Sequence, residues 1–135
     1  MKNTSFFFRL LLAVIAGEVT LVLLSAFVQE VLFDGIFWTK SSVAQLIVGG
    51  SLTVLAAVAS GWVAMWVAKK ESYIPHLIIS LLVSIETIWL VRTHQTPDPA
   101  WFDGLAGLSL VAGIWLGGWW CLKKGNLFKR LLTNN

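Results

Sequence analysis

Glu18 and Glu86 each stand inside a long apolar run, and these two carboxyls are the residues best placed to do chemistry. A carboxylate within hydrocarbon is costly, so it faces a partner, a cavity or a proton path. Three uses follow from that cost. Two carboxyls at one depth can hold a proton or a cation between them. A protonated glutamate can donate a hydrogen bond to a hydroxyl or a carbonyl and tie two helices. An ionised one can pair with a basic residue of another chain, or with Arg92 bending inward from the outer end, because no Lys or Arg of this chain falls at mid-depth.

Polar neighbours extend both positions. At helical spacing Ser25 and Gln29 share a face with Glu18. His76, Ser80, Ser84 and Thr87 form a stripe beside Glu86, which stands off that stripe by roughly a quarter turn at 100° per residue. The candidate polar or ion-handling set is therefore Glu18, Glu86, Ser25, Gln29, Ser84 and Thr87.

Other chemistries lack their residues. There is no Gly-rich phosphate loop, no His-Glu-x-x-His and no Gly-x-Ser-x-Gly. The single cysteine, Cys121, excludes an intrachain disulfide and a multi-cysteine metal site. His76 belongs to an inner boundary and His94 to an outer loop, so they cannot jointly ligate a haem. Asp34, Asp98 and Asp103 sit where loops turn, the usual place for Asp. The sequence thus implies no catalytic residue, no metal, no cofactor and no enzyme.

The elements that must position the glutamates are membrane spans. Of 135 residues, 57% are apolar and 13% charged, and the mean hydropathy is +0.78. A soluble domain carries about 25% charged residues. A water-facing fold of this chain would expose aggregating apolar patches. A span needs about 20 apolar residues, and four segments qualify: 6–28, with a continuation to 33 left open, 43–68, 74–91 and 101–122, followed by a basic tail, 123–135. The first may be compared with a signal peptide, but it is too long, contains Glu18 and lacks a small-residue cleavage pattern. The expected fold is one domain, an all-α integral membrane protein built as a four-helix bundle.

Orientation follows from the basic residues. Lys2, Arg9, Lys69, Lys70, Lys123, Lys124, Lys129 and Arg130 fall on one side, against Lys40 and Arg92 on the other. Both termini are expected in the cytoplasm of a bacterial-type inner membrane. The acids run oppositely, with Glu30, Asp34, Asp98 and Asp103 outside and Glu71 inside. Trp38, Trp89 and Trp101 mark the outer interface, and Trp62, Trp66, Tyr73, Trp119 and Trp120 the inner one. The net charge of +3 arises at span ends rather than on a basic face, which argues against nucleic-acid binding. The tail segment 126–132 reads either as an interfacial helix or as a solvated charged tail.

Small residues predict the seams between helices, because they let backbones approach. Span two carries two rows at spacing four, Gly49, Thr53, Ala57, Gly61 and Ala56, Ser60, Ala64, Ala68; span four carries Gly113 and Gly117 between Ser109 and Cys121, and span one Ala13 and Gly17. An internal repeat is also suggested. Phe33-Asp34-Gly35 and Phe102-Asp103-Gly104 each follow a glutamate at nearly the same distance, and Gly49-Gly50 and Gly117-Gly118 follow in turn. That pattern reads as two parallel helical hairpins. Glu18 lies roughly 18 Å and Glu86 roughly 16 Å from the inner ends of their spans at 1.5 Å per residue.

Two functions fit. The first is a non-enzymatic accessory subunit or scaffold in the lipid bilayer, assembling as a homo- or hetero-oligomer with other membrane subunits. The alternative is a small proton- or cation-coupled carrier that uses Glu18 and Glu86.

Overall fold

The computed structural model describes residues 2–69 and 72–133, and side chains over 4–69 and 72–124. Four helices make up the fold: α1 (Lys2–Ala26), α2 (Val43–Val67), α3 (Ile74–Thr93) and α4 (Ala100–Thr133). Each is long and apolar enough to cross a membrane. The first continues through a π-helical segment, Phe27–Leu32, so of the two ends open to it, near 28 or near 33, the helix takes the longer course. Glu71 and the side chains of segment 126–132 lie outside the described residues, although the α4 backbone runs to Thr133.

Local chemistry sets the ends. The π segment stops where Asp34 and Gly35 take positive φ values of 51° and 93°, a region glycine occupies without steric cost. The Gly35 N–H then donates to the Gln29 carbonyl at 2.7 Å, which satisfies one of the free carbonyls of the helix end. Ser42 and Gln45 form a reciprocal capping box at the start of α2. Pro75 occupies the first turn of α3, where a missing N–H costs nothing, and His94 closes that helix in the left-handed region at φ 48°. The α1–α2 and α3–α4 connections are clasped together. The Trp38 N–H donates to Asp98 Oδ1 at 2.8 Å, and the Trp38 and Trp101 rings meet edge-on at 4.8 Å.

Around the bundle the order is α1, α2, α4, α3. The α2–α4 interface is the most extensive, α1 packs mainly on α2, and α1 and α4 make no contact among the described residues. Leu21, Ala57, Ala64, Ile79, Val83 and Ile114 form the buried core. Small residues bring α2 and α4 together backbone to backbone. A methyl group on Gly61 would strike the Ile114 carbonyl, and one on Gly117 would strike the Val58 carbonyl. Gly113 lies against Ala57 and the Val54 carbonyl, one step N-terminal to these two contacts in the same interface. The arrangement is reciprocal: Gly61 and Gly117 stand three residues after Val58 and Ile114, so each glycine meets the carbonyl that precedes the other.

Three side chains tie the helices across their seams. Ser60 Oγ of α2 donates to the Gly17 carbonyl of α1 at 2.8 Å. His76 of α3 bonds the Gly61 carbonyl of α2 through Nε2 at 2.9 Å. Trp115 Nε1 of α4 donates to Ser80 Oγ of α3 at 3.0 Å. His76, expected at a water boundary, is instead fully buried between Gly118 and the Tyr73 and Trp115 rings.

The two Phe-Asp-Gly segments do not occupy equivalent positions. The first is a left-handed turn after the π segment. The second lies within the opening turns of α4. Asp-Gly serves a turn in one place and is absorbed by a helix in the other.

Candidate functional site

Glu18 belongs to the stripe Val14, Glu18, Leu21, Ser25 on α1, which runs from half-buried to buried. The neighbouring Gly17 abuts the Ile79 side chain of α3 and the Ser60 carbonyl of α2. This packing turns Glu18 toward the α1–α3 seam. Its Oε1 is shielded and has no hydrogen-bond partner.

Glu86 lies three residues past the buried Val83 of α3, on the border of the packed stripe, and its side chain is exposed. Exposed here means uncovered by the rest of the bundle, on a surface that otherwise presents Leu82, Ile85 and Trp89. The two carboxyls are within electrostatic reach of each other. They are not level. With Gly17 against Ile79, Glu86 stands about six residues further along than Glu18, roughly 9 Å at 1.5 Å per residue. The acids therefore line one seam in sequence rather than facing each other across it.

The hydroxyls near them are already engaged. Ser25 donates to the Val22 carbonyl at 3.2 Å, Ser84 to the Ser80 carbonyl at 2.7 Å and Thr87 to the Val83 carbonyl at 2.8 Å. Thr87 also packs against Gly107 of α4, on the side of α3 away from α1. Gln29 is exposed in the π segment, where its backbone carbonyl accepts from Gly35. The structure therefore gathers Glu18, Glu86 and Ser25 near one seam and sets Thr87 and Gln29 apart from it. Neither carboxyl makes a hydrogen bond or ion pair with a described residue.

The seam residues Ala57, Gly61, Gly113 and Gly117 all sit in the α2–α4 interface. Gly49 packs instead against Ile36 and Phe33 of the α1–α2 connection, and Thr53 Oγ1 bonds the Gly49 carbonyl at 2.9 Å. Of the acids expected at loop turns, Asp98 accepts from the Trp38 backbone N–H and Asp103 from Thr96, so both serve local structure. Among the described residues no group of three or more His, Cys, Asp or Glu gathers as a metal site.

Ser60 was expected in a small-residue seam and Trp115 between helices or against lipid, but the hydrogen bonds by which they and His76 tie the helices were not foreseen. The signal for His76 was its place in one stripe with Ser80, Ser84 and Thr87; the nearby Pro75 pointed instead to a boundary. No family model, curated protein or solved structure matches the chain.

Proposed function

We propose that this protein is a non-enzymatic accessory subunit of a bacterial-type cytoplasmic membrane, crossing it four times with both termini inside. Two hairpins of the same direction, α1–α2 and α3–α4, meet along the α2–α4 seam. The basic residues and aromatic belts support that orientation. At the inner end Lys123 and Lys124 lie over the Trp119 and Trp120 rings at 5.1 and 5.5 Å, as cations and indoles do at a headgroup boundary.

One observation carries the accessory role: Glu86 stands uncovered on the outside of an apolar bundle. The glycine seams are consumed in closing the single chain, so what remains for a partner is the outer surface. A carboxyl left in lipid favours association with whatever can satisfy it. Extraction in mild detergent followed by native mass measurement tests the role. A mass above that of one chain, carried by another membrane protein, is expected. A lone chain across detergents that preserve known membrane complexes refutes it.

A second reading is favoured by the unpartnered Oε1 of Glu18 with Glu86 in electrostatic reach. Such a pair suits a proton- or cation-coupled carrier. Vesicles holding the purified protein and a pH-sensitive dye test it: flux abolished by Glu18→Gln or Glu86→Gln, in protein that remains folded, establishes the carrier.

A further inference from the structure

We propose that the α1–α3 face docks a membrane-spanning helix of another chain that carries a Lys or Arg at mid-depth. The inference rests on the accessory-subunit reading and names the chemistry of the partner.

Three observations converge on that occupant. Glu86 is exposed and Glu18 is half-buried with a shielded, unpartnered oxygen, and both border the same seam. The α1–α3 side is the thinnest wall of the bundle, because α1 rests mainly on α2 and does not reach α4. Val22 on α1 and Leu82 on α3, one turn from the two acids, are exposed apolar residues that can flank a docked helix. The surface is therefore apolar with two acids set within it.

The depth of the acids selects the ligand. Glu86 lies seven residues inside the outer end of α3, roughly 10 Å at 1.5 Å per residue. A lipid amine or a soluble peptide does not reach that level, whereas a basic side chain on a spanning helix does. A second copy of this chain does not fit, because all its Lys and Arg fall at span ends: Arg9, Lys40, Lys69 and Arg92 bracket spans one to three. A basic residue placed between the two acids exchanges an isolated carboxylate in hydrocarbon for a desolvated pair.

The test uses the full chain in lipid vesicles with synthetic Leu-Ala spanning peptides, identical except for Lys, Gln or Leu at mid-depth. Association is read by energy transfer between labels. The Lys peptide is expected to associate about tenfold more tightly than the Leu peptide, the scale of a polar contact between spanning helices. Glu86→Gln should reduce it to the Leu level, and Glu86→Lys should instead prefer a peptide bearing Glu. Because Glu86 is exposed, these variants keep the bundle, which tryptophan emission verifies. Equal association of the Lys and Leu peptides overturns the proposal, as does a Lys preference untouched by both Glu18→Gln and Glu86→Gln. If the peptides fail while a native complex persists, only the partner chemistry is wrong. Proton or sodium flux lost in Glu18→Gln overturns the accessory reading as well.

Discussion

A carboxyl oxygen shielded from solvent with no hydrogen bond, as in Glu18, is a local cost that a well-chosen substitution relieves. Glu18→Met is expected to raise the midpoint of thermal unfolding in detergent, since it removes the unpaired polar group outright while keeping the side-chain length. Ser60→Ala should lower stability by about 0.6–1 kcal/mol, the scale of an interhelical hydrogen bond in a membrane protein, because it deletes the 2.8 Å bond to the Gly17 carbonyl. Denaturant titration of both variants checks the contrast. The identity of the two acids was legible in the sequence, as a carboxyl in an apolar run is conspicuous. Their unequal exposure was not. Exposure depends on how each helix is rotated in the bundle, and the rotation is fixed by contacts such as Gly17 on Ile79 and Ser60 on Gly17 that join distant segments. The burial of His76 in the first turn of α3 was illegible for the same reason: its ring is claimed by the Gly61 carbonyl of another helix.

At the scale of elements, the glycines divide into those that hold a close approach and those that do not. Gly61→Leu or Gly117→Leu should force α2 and α4 apart, because each introduced side chain meets a backbone carbonyl that cannot rotate away. A loss of at least about 1–3 kcal/mol is expected, the range for overpacking an already filled interface. Gly104→Ala meets nothing within 4 Å, so it should be tolerated or stabilising by about 0.4–1 kcal/mol. Unfolding midpoints of the three variants, measured side by side, test the division. The seam was readable from the rows of small residues in spans two and four. Which glycine meets which carbonyl was not, since several registers place small residues together. The apparent equivalence of the Phe-Asp-Gly segments shows the limit of such matching. The same three residues end a π-helical segment at Phe33 and open an α-helix at Phe102, because the flanking prolines 97 and 99 start α4 upstream of the second copy.

For the whole molecule, hydropathy and breakers point to four apolar segments, and four helices long and apolar enough to cross a membrane are present, α1 and α4 running beyond their apolar segments. The distribution of basic residues implies that reporters fused to either terminus should be active only if they function in the cytoplasm. A reporter inserted at Thr39 in the first outer loop should report the opposite side. The assembled picture is a bundle closed by its own glycine seam, apolar outside, with an acidic stretch along α1 and α3. Photo-crosslinking in native membranes tests that picture most directly. A photoreactive residue at Val22 or Leu82, beside the acids, is compared with one at Leu55 or Leu116 on the α2 and α4 surfaces, all exposed apolar positions. The account predicts a discrete protein adduct from Val22 and Leu82 that disappears with Glu86→Gln, and lipid adducts alone from Leu55 and Leu116. Lipid adducts alone from all four positions would contradict it.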